Sequence, residues 1–273
     1  MFQLLMPAGL VALSERALIL HALLLMMIVV VPLFILAIVI AWRYRASNTK
    51  AAYTPDWEHS PMEELIWWVI PLEIILVLGA LTWTSTHQLD PYKPLDSQVK
   101  PLPVEVIALN WKWLFIYPTL GVATVNELDI PVNTPVTFAI TSDAPMNSFF
   151  IPRLGGQIYA MTGMSTETHL EATETGTFMG MSANYSGDGF AGMQFKTNAL
   201  SQSDFNAWLV EAKHSPLILT QSSYTMLASP SQNAPVTIYG NVAKGLYNSI
   251  INKFMTSAST TPSNNDDMAG MSM

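Results

Sequence analysis

Hydrophobic and polar positions fall into three textures along the chain. From Ala17 to Trp42 runs an apolar stretch in which His21 is the sole ionisable side chain. As a helix it would be about 39 Å long, more than a hydrocarbon core of about 30 Å, so the pattern predicts a membrane span. Pro32 sits near its middle, which membrane helices tolerate. A secretory signal is the competing reading, but the run is too long for an h-region and no small-residue cleavage site follows it. A second run, Leu65 to Trp83, carries tryptophans at both ends, as suits the two membrane interfaces. From Pro101 the period shortens to two: "TPVTFAITS" alternates Val136, Phe138 and Ile140 with small or polar neighbours. Short β-branched and aromatic runs between Pro and Gly turns predict a β-sandwich or barrel. "SQSDFNAWLVEAK", residues 201–213, has a serine and an aspartate before an apolar-periodic run and predicts a helix, as does Lys244 to Met255.

The expected organisation is an extracytoplasmic segment 1–16, a transmembrane helix 17–42, a cytoplasmic loop 43–63 and a second transmembrane helix 64–87. A β-domain 101–200, a C-terminal helical extension 201–256 and a Ser/Thr/Asn-rich disordered tail 257–273 follow. Arg43, Arg45 and Lys50 lie between the spans, against Arg16 on one outer flank and Lys93 and Lys100 on the other. The positive-inside rule therefore puts the loop in the cytoplasm and both termini outside.

Composition sharpens this. Half of the residues are hydrophobic and 12% are charged, well under the roughly 25% of a soluble domain. The formal charge of −8 argues against nucleic acid, which needs a basic footprint. There is no cysteine, which excludes disulfides, thiolate metal sites and cysteine nucleophiles.

"SANYSGDGFAGMQF", residues 182–195, contains G-x-G-x-x-G at Gly187, Gly189 and Gly192. A dinucleotide fingerprint needs a strand before it and a helix after it; here "MQFKTNAL" continues as strand, so that reading fails. The stretch resembles instead the copper-binding loop of subunit II of the heme–copper oxidases, Cys-x-Glu-x-Cys-x-x-x-His-x-x-Met, with a further histidine upstream. On this chain the two cysteine positions hold Ser182 and Ser186, the glutamate Asn184, the downstream histidine Phe190 and the upstream histidine Asn147; Met193 alone remains. A binuclear copper centre needs soft thiolates and imidazoles, so these positions are expected not to bind metal.

A copper loop without its ligands is similar to the quinol-oxidase branch of that family, the cytochrome bo type. "WRYRASN", "LNWKWLFIYP", "GVATVNELDIP", "NSFFIPRLGGQIYAM" and "INKFM" resemble its subunit II in the same order, over roughly residues 4–256. The resemblance implies a two-helix transmembrane hairpin, then an all-β cupredoxin-like Greek-key sandwich without metal and a C-terminal helical extension, in the bacterial inner membrane with the β-domain periplasmic. It implies a non-catalytic subunit of a proton-pumping ubiquinol oxidase. No cofactor is expected in this chain; heme b, a high-spin heme o or a, and copper would reside in subunit I, where ubiquinol is oxidised. The implied partners are subunit I, subunits III and IV, and membrane lipid. Some relatives carry a lipidated N-terminal cysteine, which this chain lacks. The rival reading is a membrane-anchored binding or sensory domain.

Glu64 opens the second span in "EELIWWVIP". On its residues alone it is an acid favourably placed at a helix N-terminus; the resemblance implies the cytoplasmic entrance of a proton channel in subunit I, although Trp68 departs from the family pattern. Glu73, nine positions further, falls on the opposite face and inside the hydrocarbon, where a protonated carboxyl bonded to a neighbouring helix is expected. Trp111 and Trp113, at i and i+2, are expected on one face of a strand as core or contact residues. The methionine clusters, the five histidines and the acid excess between Lys100 and Lys213 read as filler, structural residues and a solvated face.

Overall fold

The computed structural model describes residues 5–52 and 58–258. It divides into two compact units, one of residues 14–90 and one joining the N-terminal 13 residues to 91–273.

The first unit is a helical hairpin. Helix α1 spans Leu10–Arg43, with Pro32 inside it, and α2 spans Pro61–Gln88, with Pro71 inside it and Glu63 and Glu64 in its first turn. Both are long and apolar enough to cross a membrane, at mean hydropathies of 3.4 and 2.2. On α2 the half-covered positions include Pro71, Ile74, Leu78, Leu81 and Ser85, and on α1 they include Leu18, Ala22 and Leu25. The three-four spacing of both sets marks one face of each helix. Toward the connecting loop that coverage stops, and residues 31–47 and 65–70 are exposed.

The second unit is a two-layer β-sandwich. Its strands are β1 (Leu102–Leu109), β2 (Lys112–Tyr117), β3 (Val122–Val125), β4 (Glu127–Pro131), β5 (Val136–Ser142), β6 (Asn147–Phe150), β7 (Ile158–Ala160), β8 (Thr166–Leu170), β9 (Gly176–Ser182) and β10 (Gln194–Leu200). The C-terminal extension contributes α3 (Gln202–Lys213), β11 (Ile218–Leu219), α4 (Gln221–Ala228), β12 (Thr237–Tyr239), β13 (Asn241–Val242) and α5 (Leu246–Ala258). One sheet runs β12-β3-β2-β1-β5-β8 and the other β4-β10-β9-β6-β7. Pairing within these two sheets is antiparallel except for β1 with β5 and β4 with β10. The expected cupredoxin-like sandwich is thus present.

Alternation decides which core each residue enters. In β1, Val104, Val106 and Ala108 face the inter-sheet core, while Ile107 and Leu109 face a second core on the outer side of the same sheet. That second core is closed by Leu219, Tyr224, Leu246, Tyr247, Ile250 and Ile251 of the extension. This is why "KWLFIY" is buried at every position: both faces of its sheet are covered. The extension is accordingly not helical throughout, because β12 continues the first sheet beside β3. Between the sheets, Phe149 stacks on Phe195 with centroids 5.4 Å apart, and Trp113 meets both rings edge-on. Each such side chain contributes about 1.5–3 kcal/mol by burial. The tail expected from residue 257 falls, from 259 onward, outside the described residues.

Residues 8–12 are tied to the sandwich. Ala8 N–H donates to the Arg153 carbonyl at 2.8 Å, Ala12 N–H to Leu154 at 3.1 Å, and Thr173 N–H to Ala8 at 2.8 Å. A Cβ on Gly9 would lie 2.8 Å from the Glu171 and Leu154 carbonyl oxygens, so glycine is required for this approach.

Candidate functional site

Strand β9 delivers Ser182 to the end of the sandwich, where Phe149 of β6 is its ladder partner. The chain then leaves the sheet through residues 183–189, makes one 3-10 turn at Phe190–Gly192 and re-enters as β10. Two backbone bonds fix the loop's base: Ser182 N–H donates to the Met193 carbonyl at 3.1 Å and Ala183 N–H to Ser148 at 3.0 Å.

The structure brings three of the six copper-loop positions together. Ser182 Oγ donates to Asn147 Oδ1 at 2.9 Å and lies 3.2 Å from the Asn184 carbonyl. Asn147 Nδ2 donates to the Pro145 carbonyl at 2.6 Å, and Asn184 Nδ2 to that of Met146 at 2.9 Å. Asn147 is fully buried and Ser182 nearly so. These neutral groups satisfy one another, as buried polar atoms must. The other three positions are held apart from this network. Ser186 accepts, through its carbonyl, the Trp111 Nε1 hydrogen bond at 3.0 Å. Phe190 packs edge-on against the exposed Tyr185 ring at 5.6 Å. Met193 is 1% exposed, within the inter-sheet core.

This donor set does not fit copper. Serine hydroxyls and carboxamides are hard, neutral donors; those of Ser182, Asn147 and Asn184 are engaged with each other and with backbone carbonyls, and the Ser186 hydroxyl, buried without a partner among the described residues, is no substitute for a thiolate. Among the described residues, no group of three or more His, Cys, Asp or Glu is placed to hold a metal ion.

The glycines have a packing role that the spacing alone did not disclose. Trp111 is not in a strand: it occupies the β1–β2 turn with φ of 65°, and its ring covers the loop. Trp113 by contrast stands on β2, wholly buried; the one-strand expectation fails because Trp111 belongs to the turn, while both rings pack on the inter-sheet core. A Cβ on Gly189 would sit 2.4 Å from the Trp111 ring, and Gly187 has φ of 103° beside the same ring. The G-x-G spacing thus seats an indole.

The other candidate lies in the hairpin. Glu64 N–H donates to the Ser60 carbonyl at 2.9 Å, closing the first turn of α2. His59 Nδ1 is 3.4 Å from Glu64 Oε1, with both side chains substantially exposed. The imidazole was not singled out in the sequence; the spacing His59 to Glu64 across a helix start is the signal that could have found it. Glu73 is exposed on α2, on a different face from the half-covered residues Pro71, Ile74 and Leu78.

A sandwich with a copper-type loop closed by neutral side chains, following an apolar helical hairpin, defines a subunit-II-like protein of the copper-less kind. Comparison with known proteins agrees. The cytochrome bo(3) ubiquinol oxidase subunit 2 of Pseudomonas putida is 55% identical over 92% of this chain and 80% of its own length. That of Pseudomonas aeruginosa is 52% identical over 91% and 75%, and the ubiquinol oxidase subunit 2 of Acetobacter aceti 51% identical over 91% and 81%. The chain belongs to this family, subunit 2 of the ubiquinol oxidases. A family model described as the COX aromatic rich motif matches residues 213–257, the segment that closes the second core. Among solved structures, the periplasmic domain of subunit II of cytochrome oxidase from Bradyrhizobium japonicum covers 44% of this chain and 97% of its own. Its identity is 24% and its TM-score 0.41.

Proposed function

We propose that this chain is the non-catalytic subunit II of a ubiquinol oxidase, an enzyme complex that passes electrons from quinol to oxygen and pumps protons. The observation that carries the reading is the Ser182–Asn147–Asn184 network, which fills the place of an electron-accepting centre with neutral hydrogen bonds. Membership of the ubiquinol oxidase subunit 2 family supports it. Electrons then enter the complex elsewhere, in a subunit I that holds heme b, a high-spin heme and copper, with subunits III and IV completing the assembly. The hairpin anchors the chain in the bacterial inner membrane, with the sandwich on the periplasmic side.

Glu64 is proposed to feed protons to subunit I. A carboxylate in the first turn of a membrane helix, exposed and 3.4 Å from an imidazole, forms an acid–base pair able to collect protons at the bilayer surface.

The test is oxygen uptake by the complex that co-purifies with the tagged chain, supplied with short-chain ubiquinol or with reduced cytochrome c. Uptake with quinol alone is expected. Uptake with cytochrome c, or a colourless preparation without heme, would overturn the reading. In the active complex, Glu64→Gln should slow turnover without altering the heme spectrum; unchanged turnover would remove Glu64 from proton entry.

A further inference from the structure

Near their connecting loop the hairpin helices line an open cavity of about 1040 Å³, its helical walls exposed. Its apolar wall is Leu36 and Ile40 of α1 with Ile66 and Trp67 of α2; its polar lining includes Arg45, Asn48 and Glu63. Leu36 lies about 10 Å along the helix axis from Arg43, the last residue of α1. The cavity is therefore graded in the direction of the membrane normal, hydrocarbon below and charge at the interface. Apolar walls of this size at hydrocarbon depth have no stable hydrated state. A phospholipid has the same vertical order as this lining, acyl chains below a charged headgroup.

The two charges narrow the choice. Arg45, whose guanidinium sits 5.6 Å from the Trp42 ring centre, presents a planar fork of donors suited to a phosphate. Asn48 is steadied by its own bond to the Arg43 carbonyl at 2.5 Å. Glu63 supplies the opposite charge across the same cavity, and a primary ammonium can donate hydrogen bonds to it where a quaternary ammonium cannot. We propose that this cavity is a specific site for one phospholipid with an ethanolamine-type headgroup, its phosphate on Arg45 and its ammonium on Glu63. The site is separate from the Glu64–His59 pair, and it rests on the reading of α1 and α2 as membrane spans.

The experiment is native mass spectrometry of the full chain released from nanodiscs made of equal parts dioleoyl phosphatidylethanolamine, phosphatidylcholine and phosphatidylglycerol. The same measurement is made on the assembled complex. The expected result is one retained lipid, with ethanolamine favoured over choline by about fivefold or more, the scale of a charge-assisted hydrogen bond. Arg45→Ala should lose the retained lipid of every headgroup. Glu63→Gln should keep a lipid and lose the preference for ethanolamine. Circular dichroism of both variants should show unchanged helix content. Retention that is blind to headgroup, or indifferent to Arg45→Ala, would overturn the site as ordinary annular lipid. An assembled complex with no Arg45-dependent lipid would overturn it in favour of a protein segment filling the cavity. A chain that fails to enter nanodiscs would overturn the membrane reading itself, and the site with it.

Discussion

Asp129 makes the stability of the β-domain fall as pH rises through the neutral range. It is 2% exposed on β4. Its Oδ1 accepts from Asn198 Nδ2 at 3.0 Å, the same amide nitrogen also serves Glu127 at 2.7 Å, and its Oδ2 has no hydrogen-bond partner among the described residues. Burial pushes its carboxyl from the ordinary 3.8 up to about 7; the Asn198 bond works against that shift and the nearby Glu127 charge adds to it. The folded state therefore keeps a proton that the unfolded chain has released over the window from about pH 4 to about 7. Because stability falls wherever the folded state binds more protons, each pH unit in that window costs about 1.4 kcal/mol. About 4 kcal/mol is the ceiling over the window, reduced by whatever relaxation lets water reach Oδ2. The loss levels off above pH 7. Asp129→Asn keeps the volume and the acceptor for Asn198 while removing the titration. Thermal unfolding of the full chain in nanodiscs, followed by near-UV circular dichroism from pH 5 to 8, measures it. The wild type should lose several degrees relative to the variant between pH 5 and 7.5, since 1 kcal/mol moves the midpoint by about 2–4 °C at this size. Comparing the two proteins cancels Glu105 and Glu171, whose carboxyls burial also raises. Parallel pH profiles for wild type and variant would refute the reasoning.

Four further outcomes are expected. Gly189→Ala should cost about 1–3 kcal/mol, because the added Cβ would meet the Trp111 ring at 2.4 Å; indole fluorescence and the unfolding midpoint report it. Asp143→Ala should free the C-terminal extension, since the buried carboxylate accepts from Tyr224 Oη and Lys253 Nζ, both at 2.7 Å. About 1–3 kcal/mol is expected for leaving the buried Tyr224 hydroxyl without its acceptor, the Lys253 side chain being 60% exposed, read as early proteolytic cleavage within residues 213–257. Glu73→Leu should lower the yield of assembled complex and Glu73→Gln should restore it, if a neighbouring helix bonds the carboxyl; equal yields would place Glu73 against lipid. Finally, Asn147→His, Ser182→Cys, Ser186→Cys and Phe190→His together should confer copper binding with a thiolate charge-transfer band, which the unaltered chain should not show.

How far the fold was legible depended on how local its causes were. A membrane span must satisfy its backbone internally and stay apolar throughout, so α1 and α2 could be read from continuous runs. Strand β5 could be read because one face is core and the other partly wet, giving the clean alternation at Val136, Phe138 and Ile140. Strand β2 blurs that pattern, since the extension covers its outer face from more than a hundred residues away. The same non-local packing placed β12 in the first sheet and hid it among residues expected to be helical. Trp111 was misplaced for another reason: its positive φ is set by the turn that carries it and by the glycine loop under its ring.

The candidate sites divide along the same line. That Ser182, Ser186, Asn147 and Phe190 replace copper ligands is visible in the sequence as a substitution of residue types. What replaced the metal is visible only in the fold. Removing ligands from a cupredoxin-type loop leaves buried polar positions that must bond or be filled. In this chain Ser182, Asn147 and Asn184 close on one another, and Met193 withdraws into the core. Trp111 meanwhile lies over Gly187 and Gly189 and bonds the Ser186 carbonyl. Hydrogen bonds and an indole thus fix the chain here where coordination would fix a copper loop. That substitution separates the scaffold from the chemistry. It makes the four-residue restoration the sharpest test of whether the loop can still shape a copper site.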